Sequence, residues 1–211
     1  MSLTNTYVHF DSVYKNQCRS VILTKIMSKF PFATNKSINT VTLGGEEFKM
    51  EKRLQMFYDT KGVSYELNSE SFKIATQKAP QDIKVINDNI FNHKYSGNEQ
   101  LIWFDFMTAL RYKNVNQLIE WILTNPISND TIFAVTYTLH CRHEGYRQVF
   151  DSEDEHENFI QEIANYIAMY LENVNVYVEP KISIVRYCNK DISTQSLPMV
   201  QYIFTLTKKS L

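Results

Sequence analysis

The chain has 211 residues, 44% of them hydrophobic, which supplies one globular core and is too short for two comfortable ones. Its 22 basic and 23 acidic side chains leave a net charge of −1, excluding any global attraction to nucleic acid or an anionic membrane. Cys18, Cys141 and Cys188 are odd in number and widely spaced, a usage that points to a reducing, cytoplasmic setting. The start of the chain lacks a signal-peptide pattern, and no run approaches the ~18 apolar residues of a membrane span.

In chain order, "DSVYKNQCRSVILTKIMSKF" (11–30) predicts a helix capped by Asp11, with Cys18, Ile22, Ile26 and Phe30 near helical spacing. "INTVTL" (38–43) is strand-like, and "EEFKMEKRLQMFYD" (46–59) predicts a helix with Phe48, Leu54, Phe57 and Tyr58 turned inward. Strands follow at 63–67, 83–88 and 100–106, with a helix over 69–79 capped by Asn68. "NVNQLIEWILTNP" (114–126) predicts a helix opened by the capping box Asn114 and Gln117 and stopped at Pro126. A strand over 130–140 precedes a long helix over 152–173, opened by Ser152 and Glu155, and two final strands (182–188, 199–207) form an antiparallel pair. Strands too apolar for one face in water, alternating with helices, predict an α/β sandwich: a single domain with a helical extension (1–37) and a core (38–207).

Ligands of open parallel sheets bind outside the carboxyl ends of the strands. After the first strand, "LGGEEF" holds the adjacent glycines Gly44 and Gly45; about twenty residues on, Glu66 and Leu67 close the second strand. That spacing is a nucleotide-binding arrangement, with the acid accepting hydrogen bonds from ribose hydroxyls. Glu46 and Glu47 would repel a dinucleotide's pyrophosphate but tolerate a cofactor carrying positive charge, as S-adenosylmethionine does. Their other reading is that of acids favoured by a helix macrodipole.

These segments resemble class I, Rossmann-like S-adenosylmethionine-dependent methyltransferases over roughly residues 38–207. The resemblance implies a three-layer sandwich with a mostly parallel seven-stranded sheet and an antiparallel C-terminal strand. "TVTLGGEEF" stands at the glycine-rich first motif, making Gly44, Gly45 and Glu46 cofactor-binding candidates. "VSYELNSESFKIA" is similar to the second strand with its acidic end, which makes Glu66 the ribose candidate beside Leu67. "VINDNIF" looks like the segment whose Asp88, Asn89 and Ile90 border the adenine, and "LIWFDFMTAL" places Asp105 and Phe106 at the catalytic pocket. The first motif departs from acid-x-Gly-x-Gly-x-Gly by lacking the leading acid and the third glycine. "DFMT" lacks the two prolines of DNA amino methyltransferases, the Pro-Cys pair of cytosine C5 enzymes is absent, and no lysine follows the fifth strand as ribose 2′-O enzymes require. The short, glycine-poor version is similar to divergent methyltransferase-like proteins of viruses and plasmids.

Asp105 ends an apolar run, so it must be paired or face a cleft. It is expected to accept the nucleophile's proton or the cofactor's ammonium, while Phe106 packs against a planar substrate or fills the wall and Trp103 lies in the core. In "HCRHEGYR" (140–147) the imidazoles of His140 and His143 lack further ligands at metal spacing, so no metal is expected; Arg142 and Arg147 fit a loop holding a phosphate or carboxylate. The expected function is S-adenosylmethionine-dependent methyl transfer to an acceptor the sequence leaves open among nucleic acid, protein and small molecule. The alternative is a non-catalytic binding protein with the same fold, and the acids after Gly45 disfavour an NAD-dependent oxidoreductase.

Overall fold

The computed structural model describes residues 13–43, 45, 47–125, 130–139, 153–173, 176–189 and 197–208. Its elements in chain order are α1 (Val13–Lys29), β1 (Ser37–Thr42), α2 (Lys49–Gln55), β2 (Asp59–Tyr65), α3 (Ser69–Lys78) and β3 (Ile83–Ile86). A 3-10 turn (Ile90–Asn92) leads to β4 (Leu101–Ala109), α4 (Tyr112–Thr124), β5 (Thr131–Thr138), α5 (Glu153–Glu172), β6 (Val176–Asn189) and β7 (Leu197–Lys208).

The strands form a seven-stranded sheet in the order β3-β2-β1-β4-β5-β7-β6. Pairing is parallel from β3 through β5, while β7 runs antiparallel to both β5 and β6. The expected α/β sandwich is therefore present, with the terminal strand slotted between β5 and β6. Because β1 to β3 step outward and β4 returns beside β1, the strand order reverses between β1 and β4. A crevice at that switch point is where ligands of such sheets bind.

Period-two alternation sends the central side chains into two layers. Ile102 and Phe104 of β4 join Phe133 and Val135 of β5 in a large core against α4 and α5. Leu101 and Trp103 join Ile132 and Ala134 against Ile22 and Ile26 of α1 and Leu54 of α2. Each such fully buried side chain contributes about 1.5–3 kcal/mol. Helix α1 is thus part of one covering layer and runs antiparallel to the strands, with Lys29 paired to Asp130 (2.6 Å) at the start of β5.

Local chemistry explains where the sequence reading holds and where it shifts. Asn68 caps α3 as expected, accepting from the backbone N–H groups of Glu70 (2.9 Å) and Ser71 (3.0 Å). The expected Asn114 cap is corrected: α4 begins at Tyr112, and Asn114 inside its first turn donates to the Ala109 carbonyl (2.7 Å). The helix expected over 46–59 is only Lys49–Gln55. The chain must turn so that Tyr58 donates to the Phe30 carbonyl (2.8 Å) and Asp59 pairs with Ser37 to open β2. Phe57, expected inward, is exposed; Phe48, Leu54 and Tyr58 are buried. Asp11, Ser152 and Pro126 lie outside the described residues.

Gly62 of β2 lies against β1 so closely that a Cβ there would stand 2.1 Å from the Thr40 carbonyl oxygen. Backbone cannot yield as a flexible side chain does. Gly62→Ala is expected to cost about 2 kcal/mol or more through strain on the β1–β2 pairing, read as a lowered urea midpoint.

Candidate functional site

At the carboxyl end of β1, the Leu43 N–H donates to the Trp103 carbonyl (3.1 Å) and ties the loop to β4. Gly44 and Glu46 lie outside the described residues. Gly45 adopts φ 59°, and a Cβ built there meets no atom of the described residues within 4 Å. Glu47 is exposed and accepts from Lys78 (3.3 Å) on α3. Counting acid-x-Gly-x-Gly-x-Gly from Gly44 places Phe48 at the last glycine. It holds a left-handed φ of 50°, buried against Ala75 and Ile83. A bulky residue there costs on the order of 1–3 kcal/mol, offset by its burial.

The leading acid missing from the first motif has a neighbour that the sequence reading overlooked. Thr42, where that acid would stand, donates through its hydroxyl to Glu51 of α2. Glu51 is buried, and burial pushes its carboxyl above the usual range despite the Thr42 bond and the charge of Arg19. Its Oε2 has no hydrogen-bond partner among the described residues. The available signal was spacing: Glu51 is in phase with inward Leu54 at i, i+3.

At the ends of β2 and β3, the Glu66 N–H donates to the Ile86 carbonyl (3.0 Å), and Glu66 Oε1 accepts from the Asn68 N–H (2.9 Å). Asn87 binds the two strand ends together, donating to the carbonyls of Glu66 (2.7 Å) and exposed Leu67 (3.2 Å). Asp88 Oδ1 accepts from the Asn89 N–H (2.7 Å) and the Asn92 amide (2.8 Å), and Asn89 caps the 3-10 turn through Phe91 N–H (3.0 Å). Ile90 is buried in the core. The structure thus brings Glu66, Leu67, Asp88 and Asn89 together as one rim.

Beneath that rim lies a polar chain that the sequence reading missed. The Tyr65 hydroxyl is hydrogen-bonded to His93 Nδ1 (2.8 Å), whose Nε2 stands 3.4 Å from Glu99 Oε1. Glu99 also accepts from the Ser96 N–H and hydroxyl (both 2.9 Å) and the Asn98 N–H (3.0 Å). Burial alone would raise its pKa, but the His93 and Ser96 hydrogen bonds outweigh burial and hold it at about 2. These residues anchor the segment between Asp88 and β4.

The end of β4 bulges: Asp105 pairs with Thr136 and Ala109 with Thr138, so four steps on one strand oppose two on the other. Asp105 Oδ2 meets Lys15 of α1 at 2.5 Å, with only 11% and 14% of the side chains exposed, and Asp105 Oδ1 has no hydrogen-bond partner among the described residues. Nearby, burial and then the Asp105 charge push the Cys18 thiol up to about 12. Phe106 lies on the other side of the sheet, stacked on Phe91 (5.4 Å, 22°) and packed against Phe104 (5.2 Å) and Tyr137 (5.9 Å). Asp105 and Phe106 are therefore separated by the sheet, and Phe106 shares its aromatic wall with the turn holding Ile90. Trp103 is buried as expected.

Residues 140–147, including His140, Cys141, Arg142, His143, Tyr146 and Arg147, lie outside the described residues. Among the described residues no His, Cys, Asp and Glu cluster suits a metal, and no helix is long and apolar enough to cross a membrane.

No protein-family model and no curated protein sequence matches the chain. Solved structures do. A Pyrococcus horikoshii protein described provisionally as an RNA methyltransferase superposes with TM-score 0.57 at 9% identity, covering 92% of this chain and 84% of that one. The N-methyltransferase NodS of Bradyrhizobium japonicum gives 0.54 at 10% identity, covering 94% and 99%. The geranyl diphosphate C-methyltransferase of Streptomyces coelicolor, solved with Mg2+, geranyl diphosphate and S-adenosyl-L-homocysteine, gives 0.54 at 6% identity, covering 90% and 80%. The chain has the Rossmann-like fold of class I methyltransferases, and at these identities the likeness is one of fold.

Because Glu99 ionises at about 2 when folded against 4.5 ordinarily, its ionised form stabilises the protein fully above pH 4.5, and this is lost as pH falls through about 2. Glu99→Gln should therefore lower stability by on the order of 2 kcal/mol at neutral pH. Urea midpoints of variant and wild type are expected to converge between pH 4.5 and 2.

Proposed function

We propose that the chain is an S-adenosylmethionine-dependent methyltransferase, with the cofactor held across the carboxyl ends of β1, β2 and β3. The observation that carries this reading is the rim in which Asn87 ties Glu66 and Leu67 to the Asp88–Asn89 turn, beside the switch point of a methyltransferase-type sheet. The donor set fits the group. Among the described residues nothing crowds Gly45 and Asp105 Oδ1 has no partner; Glu66 would offer a carboxylate to ribose hydroxyls, Asp88 and Asn89 would border the base, and Asp105 would supply negative charge.

When bound, S-adenosylmethionine supplies a methyl group activated by a sulfonium. The remaining tasks belong to the chain's own residues. Glu66 orients the ribose, with one oxygen already fixed by the Asn68 N–H. The Phe91, Phe104 and Phe106 wall excludes water beside the base, and exclusion with alignment supplies most of the catalysis a neutral amine nucleophile needs. Asp105 accepts the proton that an acceptor releases, provided that Lys15 yields. The acceptor class is left among nucleic acid, protein and small molecule.

A second reading, a binding protein that keeps the fold without catalysis, is favoured by one observation: Asp105 is already neutralised by Lys15. Calorimetric titration with S-adenosylmethionine and S-adenosylhomocysteine tests both readings. Saturable binding is expected, with Glu66→Ala weakening it about tenfold or more through loss of a charge-assisted hydrogen bond. Absence of binding by the wild-type protein would sink both the cofactor site and the enzyme. Binding without transfer of labelled methyl to nucleic acid, protein or metabolite pools would select the second reading.

A further inference from the structure

At the opposite end of the sheet from Glu66 lies a groove of about 510 Å³ between α1 and the last two strands. Its walls carry Ser20, Thr24, Lys25 and Ser28 of α1, Ser183 of β6 and Thr205 of β7. Thr205 pairs with Ile132 near the start of β5, whereas Asp105 pairs with Thr136 toward its end, so the groove is separate from the candidate cofactor site.

Much of its exposed lining is apolar, but its polar groups are of one kind. Ser20, Thr24 and Ser28 recur every four residues and form one row on the helix, and Lys25 and Lys29 form the adjacent row. Apart from Val21, every lining residue carries a side-chain donor, and none is a carboxylate. Lys29 is committed to Asp130 at the rim (2.6 Å). Lys25 Nζ reaches only the Ile203 carbonyl, at 3.4 Å, and has no acidic partner among the described residues. Burial first, and then like-charged Lys29, lower the Lys25 pKa, so its ammonium lacks the counter-charge that would offset its desolvation.

We propose that this groove binds a phosphate group, with Lys25 as counter-charge and the hydroxyls of Thr24, Ser28, Ser183 and Thr205 as donors. A tetrahedral oxyanion accepts hydrogen bonds from several directions, which suits donors converging from a helix and two strands; a planar carboxylate prefers the fork of an arginine. The volume exceeds that of the ion itself and matches a small-molecule pocket, so there is room for the remainder of a phosphorylated metabolite. An extended nucleic-acid backbone fits poorly, because it requires a row of free cations and the protein's net charge is −1. This inference stands apart from the methyltransferase reading, and its test needs no cofactor.

The test is a titration of the isotopically labelled full chain with inorganic phosphate, ribose 5-phosphate and neutral ribose, followed by amide chemical shifts. Both anions are expected to give saturable shifts at Thr24, Lys25, Ser183 and Thr205, and ribose none. Lys25→Met should weaken binding about tenfold or more. Thr24→Val, which keeps the side-chain shape without the hydroxyl, should weaken it several-fold and decides the matter if the lysine variant fails to fold. Tighter binding of ribose 5-phosphate identifies a phosphorylated metabolite as the source, and equal binding identifies free phosphate. Absence of saturable shifts at the groove up to about 10 mM, or affinity unchanged in the variants, would overturn the proposal.

Discussion

Strand β4 pairs with β1 on one side and β5 on the other, so the side chains from Leu101 to Phe104 alternate between the two covering layers. Leu101 and Trp103 go toward α1 and α2, and Ile102 and Phe104 go toward α4 and α5. This commitment extends to the strand's carboxyl end, where adjacent residues receive opposite environments. Asp105 meets a lysine, and Phe106 meets three aromatic rings. The candidate site inherits that division, with charge on the α1 side of the crevice and a dry aromatic wall on the other.

Buried acids in the fold are handled in three physically distinct ways. Glu99 is kept ionised by converging hydrogen-bond donors, Asp105 lies against Lys15, and Glu51 is pushed toward its neutral form by burial. Glu99 organises the segment that leads from the Asp88 turn into β4, while Glu51 braces Thr42 below the glycine loop. Beside that loop, Phe48 keeps a left-handed backbone without glycine, its side chain buried against α3 and β3.

Helix α1 connects the two ends of the molecule. Lys15 is clamped to Asp105 at the carboxyl end of the sheet and Lys29 to Asp130 at the amino end, with Ile22 and Ile26 buried between them. Its inward face closes one core layer, and part of its remaining surface lines the Lys25 groove. A helix pinned in this way has little freedom to slide, so any response to a ligand near Asp105 must work against the buried pair.

Local periodicity and composition determined the order of helices and strands, the two-sided burial of the sheet and the placement of Glu66 and Asp88 just past strand ends, because these depend on residues near one another in sequence; Asp105, expected to close its strand, stands inside β4, which runs on to Ala109. The Asn68 cap was legible for the same reason. Where distant partners compete with local preference, only the tertiary structure decided. Asn114 turned from cap to Ala109 because α4 begins earlier, the helix after β1 shortened so that β2 could pair from Asp59, and Phe106 joined the wall built by Phe91 and Tyr137. The Lys15–Asp105 pair, the Thr42–Glu51 bond and the Tyr65–His93–Glu99 chain each join residues from different elements or a distant loop. Spacing can mark Glu51 as inward, but it does not name the partner; these meetings exist because the fold carries those side chains to the same place.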